Sequence, residues 1–189
     1  MPKKSLRARM LAIRRELSDA QWLDSSIKAQ ERLLQIDRFL QSKCIAIYSP
    51  VQRELDTNLL FNAARVDGKK VLYPKVCGTE LVFSEVTDQQ ELVSGCFGIC
   101  EPGINAKEHG LAAVDLMVVP GVAFDLNGHR LGFGKGFYDR CLADQRGSML
   151  LVGFCHDFQL QERIPVEDHD IRMDLIITEK RVVEVVTGP

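Results

Sequence analysis

Short apolar segments recur along the chain, and their spacing constrains the fold more than any other feature. Several are continuous apolar runs and not alternating ones, which is typical of strands that are covered on both faces. Helical patterns occupy the stretches between them, so the sequence predicts an α/β protein with a layered α/β/α fold and a central, mostly parallel sheet. The predicted strands are 44–50 (CIAIYSP), 70–76 (KVLYPKV), 80–86 (ELVFSEV), 115–121 (DLMVVPG), 149–154 (MLLVGF) and 174–178 (DLIIT).

The predicted helices begin near the amino terminus. Apolar residues at spacings of four, three and four indicate an amphipathic first helix, with a stripe made of Leu6, Met10, Ile13 and Leu17. Ser18 then opens the capping-box pattern SDAQ, which predicts a second helix over 19–36. The later helices and the glycines that close them are 57–66 with Gly68, and 137–145 with Gly147.

The size and composition of the chain suit one domain. Its 189 residues are 46% hydrophobic and 26% charged, and a chain of this length buries roughly 70% of its unfolded surface. No internal repeat, low-complexity tract or linker interrupts it, so we expect a single domain over 1–189. Residues 95–110 are expected to form a long ordered loop that lies near a site.

The charge of the chain argues for small-molecule partners. A net charge of −2 gives no general reason to expect nucleic acid or an anionic membrane as a partner. No segment approaches the ~20 apolar residues of a membrane span and no secretory signal is recognisable, so a cytoplasmic protein is expected, with a monomer as its state. The positive charge is concentrated before the first acidic residue, Glu16, at Lys3, Lys4, Arg7, Arg9, Arg14 and Arg15.

The cysteines are not arranged for metal or disulfide chemistry. The six of them are scattered singly through apolar runs, which favours reduced thiols in a chain without an export signal. The closest pair, Cys96 and Cys100, has no second cluster beside it, and the histidines stand apart. A zinc site is therefore not expected.

One glycine-rich stretch carries the strongest functional signal. Residues 120–142, PGVAFDLNGHRLGFGKGFYDRCL, place Gly132, Gly134 and Gly136 around Lys135, between an apolar run and a predicted helix. Glycines allow positive φ and close approach, so successive N–H groups can turn toward one anion at the start of a helix. Arg130 and Lys135 add full charges, and the loop follows a strand, where parallel sheets gather their ligands. The stretch therefore predicts a phosphate-binding loop.

Two familiar phosphate motifs are excluded. A Walker A loop requires Ser or Thr after its lysine, and Gly136 follows Lys135 here. A dinucleotide fingerprint also fails, because the spacing is G-x-G-x-G and no acidic residue follows a second strand. From the residues alone, the alternative of a flexible turn with glycine caps stays open.

Acidic residues near this loop are candidates for a cation. Asp139 lies four residues after Lys135, in the first turn of the predicted helix, and a carboxylate there can hold Mg²⁺ beside a polyphosphate. Asp174, which opens the strand segment DLIIT, could be the second carboxylate. The alternatives are favourable interaction of Asp139 with the helix dipole and an ordinary position at a strand end for Asp174.

Together these residues resemble a known family. The stretch 120–142 is similar to the signature of 5-formyltetrahydrofolate cyclo-ligases, and KKSLRARM (3–10), ELDT (54–57), GICEP (98–102) and IPVEDHDIRMDLIIT (164–178) match in order. The resemblance implies an enzyme that uses ATP and Mg²⁺ to convert 5-formyltetrahydrofolate to 5,10-methenyltetrahydrofolate, with release of ADP and phosphate. It also implies that the formyl oxygen is phosphorylated first and that N10 then closes the ring. Donors and cations aimed at phosphate oxygens would be the main catalytic means.

The resemblance also assigns residues to the nucleotide. Lys135 and Arg130 are the implied catalytic residues, Lys4 and Arg7 would reach the phosphates from the first helix, and Asp139 and Asp174 would hold Mg²⁺. The implied ATP-binding residues are Lys3, Lys4, Ser5, Leu6, Arg7, Arg130, Leu131, Gly132, Phe133, Gly134, Lys135, Gly136, Phe137 and Tyr138. The alternative for Lys4, Arg7 and Lys135 is a solvated face.

The implied folate site lies on two segments. Its residues are Val51, Glu54, Asp56, Phe133, Gly134, Lys135, Gly136 and Phe137. Asp56 would accept from the pterin amino edge and Val51 would form an apolar wall; helix capping and core packing are the alternatives. Phe137 stands where the family often has Tyr, which keeps an aromatic face but removes a hydroxyl. His129 is not expected to be a general base.

Two other functions remain open at this point. One is an ATP-dependent kinase or ligase whose acceptor is not a folate. The other is a non-catalytic module in which the basic helix and the glycine loop bind a nucleotide or RNA. Turnover of ATP separates the enzymes from the module, and formation of a methenyl product separates the cyclo-ligase from the other enzymes.

Overall fold

The computed structural model describes residues 2–143, 147–167 and 170–186. Its helices are α1 (Lys3–Glu16), α2 (Asp19–Leu34), α3 (Asp37–Gln41), α4 (Asn58–Val66) and α5 (Phe137–Ala143). Its strands are β1 (Cys44–Ala46), β2 (Lys70–Cys77), β3 (Glu80–Glu85), β4 (Leu92–Ser94), β5 (Cys100–Pro102), β6 (Glu108–His109), β7 (Leu116–Pro120), β8 (Ala123–Asp125), β9 (Arg130–Leu131), β10 (Leu150–Phe154), β11 (Leu160–Gln161), β12 (Leu175–Ile177) and β13 (Val182–Glu184). Short 3₁₀ turns cover Gln89–Glu91, Cys96–Gly98, Leu111–Ala113 and Asp157–Gln159.

A large mixed sheet forms the centre of the described chain. Its strand order is β13-β12-β10-β7-β1-β2-β3-β6. The strands from β12 to β2 pair in parallel, whereas β13 on one edge and β3 and β6 on the other pair antiparallel. The predicted mostly parallel sheet and the layered α/β fold are therefore confirmed.

Helices and loops cover both faces of this sheet. Alternate residues of a strand point to opposite faces, so Ile45 packs in a cluster with α2 and α4, and Ala46 packs in a second cluster with Leu142 of α5. Burial on both faces explains why the central strands read as continuous apolar runs.

The first helix packs against a smaller sheet. Strands β11, β8 and β9 form that sheet, and Leu6 and Met10 of α1 pack on Val122, Ala123 and Leu131. The second helix begins as predicted, because the Ser18 hydroxyl accepts from the Gln21 amide at 3.2 Å and the Gln21 side chain accepts from the Ser18 amide at 2.9 Å.

Some predicted boundaries differ from the structure. Residues 95–110 contain β5, β6 and a 3₁₀ turn and are not one long loop. The second helix ends at Leu34, before a separate short helix, α3. The predicted helix 137–145 is described to Ala143, and its remainder lies outside the described residues.

Candidate functional site

A cavity of about 630 Å³ opens beside the carboxyl ends of the central strands. Tyr48 and Ser49 follow β1, Pro74 lies in β2 and Pro120 ends β7, and all of them line the cavity. The volume lies within the roughly 300–1,000 Å³ that small-molecule sites occupy. The place is the one where parallel sheets bind their ligands.

Most of the predicted site residues line this cavity. They come from α1, from the segment after β1 and from the glycine loop: Lys3, Arg7, Val51, Glu54, Arg130, Leu131, Gly132, Phe133, Gly134, Lys135, Gly136, Phe137, Tyr138 and Asp139. Segments far apart in sequence thus meet at one place.

Different structural constraints favour glycine at the three glycine positions of the loop. Gly134 and Gly136 adopt φ values of +98° and +65°, which a residue with a Cβ disfavours. Gly132 does not adopt positive φ; a Cβ there would stand 2.8 Å from Nη1 of Arg130. Close approach, and not positive φ, therefore favours glycine at position 132, because the Arg130 guanidinium passes directly beside it.

Arg130 is a buried cation that faces a carboxylate. Its Nη2 donates to both carboxylate oxygens of Asp139, at 3.0 and 2.9 Å. Its guanidinium also lies 5.4 Å from the centroid of the Tyr138 ring, and its Nε has no hydrogen-bond partner among the described residues. A buried donor without a partner is costly, so a ligand oxygen at this wall would gain from binding there.

Lys135 occupies the tip of the glycine loop. Its Nζ lies 5.8 Å from the centroid of the Phe97 ring. Arg140 holds the loop from behind, because its guanidinium donates to the carbonyl oxygens of Lys135 at 2.8 Å and Thr79 at 2.7 Å. The same guanidinium lies 5.4 Å from the Phe137 ring centroid. These contacts fix the loop to the turn between β2 and β3.

The first helix brings two further cations to the cavity. Arg7 Nε donates to the Gly132 carbonyl oxygen at 2.9 Å, which joins α1 to the glycine loop. Lys3 Nζ lies 3.0 Å from carboxylate oxygens of both Glu167 and Asp170. Burial alone would lower the pKa of Lys3, but the bonds to the two carboxylates outweigh it and raise the pKa.

The segment after β1 is held in an unusual conformation. Gln52 and Arg53 adopt φ values of +48° and +59°, which cost energy outside glycine. The Arg53 carbonyl accepts from Nε2 of His156 at 3.0 Å, and the Glu54 carbonyl accepts from the Trp22 indole at 2.6 Å. These bonds hold Val51 and Glu54 at the cavity.

Glu54 is a buried carboxyl group in the cavity wall. Its side chain is 5% exposed. Its Oε2 accepts from the Val51 amide at 3.1 Å, and its Oε1 lies 3.6 Å from Nη1 of the buried Arg14. Burial raises the pKa of Glu54 to about 7, while Arg14 and the Val51 amide act to lower it. Burial likewise lowers the pKa of Arg14, and Glu54 opposes that change.

Comparison with known proteins identifies the family. The sequence profile of the 5-formyltetrahydrofolate cyclo-ligase family matches residues 1–179. The chain belongs to the 5-formyltetrahydrofolate cyclo-ligase family. A cyclo-ligase of Escherichia coli K12 is 34% identical over 177 residues, covering 90% of this chain and 97% of that protein. The mouse cyclo-ligase is 28% identical over 189 residues, covering 94% and 93%.

Solved structures of this cyclo-ligase family share the fold. The 5,10-methenyltetrahydrofolate synthetase of Aquifex aeolicus superposes with a TM-score of 0.88 at 39% identity, covering 100% of this chain and 95% of that one. The synthetase of Mycoplasma pneumoniae gives a TM-score of 0.80 at 26% identity, covering 95% and 99%. The resemblance predicted from the sequence is confirmed, and the kinase and binding-module alternatives lose their support.

Several predicted site residues of this cyclo-ligase lie outside the cavity wall. Lys4 and Ser5 are exposed on α1, and Leu6 is buried against the small sheet. The Asp56 carboxylate accepts from the Thr57 amide at 2.9 Å, just before α4 begins. This contact agrees with the alternative in which Asp56 caps that helix. His129 Nδ1 lies 3.1 Å from the buried carboxylate of Asp125.

Asp174, the second predicted metal ligand, is not among the residues that line the cavity, whereas Asp139 is. Oδ2 of Asp174 accepts from the Leu151 amide at 2.8 Å, just before β12 begins. Leu151 of β10 pairs with Met117 of β7. Pro120, the β7 residue that lines the cavity, lies three residues further along that strand. Three residues of strand span about 10 Å. Asp170, four residues before Asp174, does line the cavity.

Part of the cavity wall was missed by sequence reasoning. Phe97 and Ile99 on the β4–β5 hairpin, with Glu101 in β5, cover one side, and Val76 and Leu81 come from the β2–β3 pair. The only sequence signal was the expectation that 95–110 lies near a site. Phe97 is 68% exposed. Such exposure of a large apolar ring is unfavourable unless a ligand covers it.

Proposed function

We propose that the chain catalyses the ATP-dependent cyclisation of 5-formyltetrahydrofolate to 5,10-methenyltetrahydrofolate, with release of ADP and phosphate. One observation carries the proposal. A single cavity combines the glycine loop and its cations, Arg7, Arg130 and Lys135, with an apolar wall that includes Val51 and Phe97. That combination suits a polyphosphate beside a reduced pterin.

The nucleotide phosphates belong at the glycine loop in this proposal. Lys135 at its tip holds the transferring phosphoryl group, and Arg130 and Arg7 take oxygens on either side of it. Arg130 is well suited because its Nε is buried and lacks a partner among the described residues. Preorganised donors of this kind act where charge moves in the transition state. The exposed Lys4 and Ser5 would act only at the mouth of the cavity, and Leu6 would act by seating α1.

The reaction requires two steps at one carbon. The formyl oxygen attacks the γ-phosphorus, ADP leaves, and an imidate phosphate remains on N5. N10 then attacks the same carbon, its proton is lost, and the C–O bond to phosphate breaks. The cavity's contribution is to hold both reactants within reach and to stabilise negative charge on phosphate oxygens.

Two carboxylates of the cavity, those of Asp139 and Asp170, are suitable ligands for a cation beside the phosphates. Among the described residues no group of three or more His, Cys, Asp or Glu side chains is placed to hold a metal ion, but Mg²⁺ often takes only one or two carboxylates and completes its shell with phosphate and water. Asp139 and Asp170 both line the cavity, and the Ile171 amide next to Asp170 donates to Asp139 at 3.4 Å. We propose that these two carboxylates hold Mg²⁺, which would neutralise charge on the phosphates.

The folate belongs against the apolar part of the cavity in this proposal. Val51 and Phe137 line the cavity and would contact the folate, and Glu54 offers a buried carboxyl group. Asp56 would need to reach past its bond at the start of α4, so its contact with the pterin stays a prediction. The loss of a hydroxyl at Phe137 removes a hydrogen bond that a tyrosine would offer.

An absorbance assay tests the proposed function. Purified protein is mixed with 5-formyltetrahydrofolate, ATP and MgCl₂, and near-ultraviolet absorbance of the methenyl product is followed while ADP is measured. One ADP for each methenyl product is expected. Omission of ATP or of the folate is the control. Folded protein that binds ATP but forms no methenyl product would contradict the proposal.

We expect a monomer in the cytoplasm that acts on small molecules and not on nucleic acid. Among the described residues, no helix is both long and apolar enough to cross a bilayer. Light scattering of the purified protein would test the monomer.

A further inference from the structure

Glu54 contributes a buried carboxyl group to the cavity wall. Its Oε2 accepts from the Val51 amide, whereas its Oε1 faces Nη1 of Arg14 at 3.6 Å and has no hydrogen-bond partner among the described residues. The side chain lines the cavity and is 5% exposed. A buried acceptor without a partner is costly, so a donor on a bound ligand would stabilise it.

The other acidic groups of the cavity are already engaged. Asp139 accepts two bonds from Arg130, and Glu167 and Asp170 pair with Lys3. Glu101 accepts from the Val76 amide at 3.3 Å on the hairpin side, and no atom of it is buried without a partner. Glu54 differs from them because its Oε1 is buried and makes no hydrogen bond to the described part of the chain, although Nη1 of Arg14 lies 3.6 Å away.

We propose that Glu54 accepts the proton that N10 of the folate loses when it closes the ring. The inference rests on the proposed function. As the N10–C bond forms, the N–H electron pair returns to nitrogen, the proton passes to Oε1 of Glu54, and the C–O bond to phosphate then breaks. The products are the methenyl cation, inorganic phosphate and a protonated Glu54, which returns its proton to water.

The surroundings of Glu54 suit a group that gains and loses a proton. Burial raises its pKa to about 7, and Arg14 keeps the ionised form accessible. A base is most effective when its pKa lies near the working pH. The other titratable groups that interact with it, Tyr48 and Tyr138, stay neutral because burial raises the pKa of each phenol. Arg14, held by the Gly121 carbonyl at 3.4 Å, is a positioning residue for Glu54.

The variant Glu54→Gln tests the inference. An amide can still accept from the Val51 N–H, but it cannot take a proton from N10. Phosphorylation should persist while ring closure slows by about 10²-fold or more, the contribution of a positioned base. The stranded imidate phosphate is then hydrolysed to 5-formyltetrahydrofolate and phosphate, so the ratio of ADP to methenyl product should rise well above one.

Quenched single-turnover reactions measure both products. The parent should form ADP and methenyl product together, with a methenyl rate that falls as the pH drops below about 7, and Glu54→Gln should lose that dependence. Glu101→Gln removes another buried carboxyl group of the cavity and should keep the ratio at one even if its rate changes.

Two outcomes would overturn the inference. A ratio of one in Glu54→Gln, at any rate, would show that Glu54 does not separate the two steps. The same ratio in the double variant Arg14→Met with Glu54→Gln, which leaves no unpaired buried charge, would exclude the role if the single variant does not fold. A parent that forms no methenyl product would instead contradict the proposed function.

Discussion

At the scale of single residues, Lys135 is expected to carry more of the phosphoryl transfer than any other side chain of the loop. Its ammonium group stands at the loop tip, and its backbone is fixed by the bond from Arg140 to the Lys135 carbonyl. Substitution of its side chain therefore removes a charge and leaves the loop attachment in place.

Lys135→Ala should lower the turnover number by roughly 10²–10³, or about 2.7–4 kcal/mol, as the loss of one preorganised donor does. Steady-state measurement of methenyl formation at saturating ATP and folate gives the value. Lys43→Ala, on the surface before β1, is the matched control and should match the parent. Turnover of Lys135→Ala within threefold of the parent would remove Lys135 from the transfer step.

The magnesium requirement of single variants tests which carboxylates hold the ion. Asp139→Asn and Asp170→Asn should each raise the Mg²⁺ concentration for half-maximal turnover by about tenfold or more, because carboxylates are the preferred ligands of this ion. Asp174→Asn should leave the titration unchanged, since its amide oxygen can still accept from Leu151. A shift with Asp174→Asn and none with Asp170→Asn would restore the sequence-based choice.

At the scale of elements, the glycine loop is prepared before any ligand binds. Its positive φ values, the bond from Arg7 of α1 and the bond from Arg140 of α5 hold it from two sides. An element that is already in its binding conformation loses little entropy on binding. We therefore expect that a change which disturbs this loop conformation lowers the affinity for ATP.

Gly134→Ala tests this preparation. The φ of +98° costs an alanine about 1–2 kcal/mol, so the loop should relax and its affinity for a non-hydrolysable ATP analogue should fall by roughly 5–30-fold. Calorimetric titration measures the affinity. Gly110→Ala is the control, because Gly110 has a φ of −71° and open space around it. Equal affinities in the two variants would contradict a prepared loop.

At the scale of the whole molecule, the cavity depends on long-range contacts that also set the pH range of stability. His156 is an example. It lies between the end of β10 and the strained segment after β1, where its Nε2–H donates to Arg53. Burial lowers the pKa of His156 to about 4, because a charged ring is poorly solvated there.

This pKa predicts a loss of stability in mild acid. The unfolded chain takes up a proton near pH 6.5, while the folded chain resists protonation until about pH 4, so the contribution of neutral His156 falls as the pH drops through that window. Urea unfolding at pH 7 and pH 5 should show a larger fall in the parent than in His156→Gln. Equal falls in both proteins would contradict the prediction.

The sequence could predict the layered fold because its signals are local. Continuous apolar runs such as 115–121 arise where a strand is covered on both faces, and Ser18 with Gln21 forms its cap within one turn. The short strands β4, β5, β6, β9 and β11 carry too few residues for a pattern. Their pairing depends on the partner strand, which no local window contains.

The sequence by itself determined the glycine loop, the basic first helix and the family, because those depend on residue types at fixed spacings. Only the tertiary structure decided which carboxylates line the cavity, since Asp170 lies in its wall, whereas Asp174, four residues later, accepts from the Leu151 amide just before β12. It also decided that Glu54 is buried with one oxygen that makes no hydrogen bond to any described residue and that Phe97 faces Lys135. Burial and distance are properties of the packed chain, and segments remote in sequence set both.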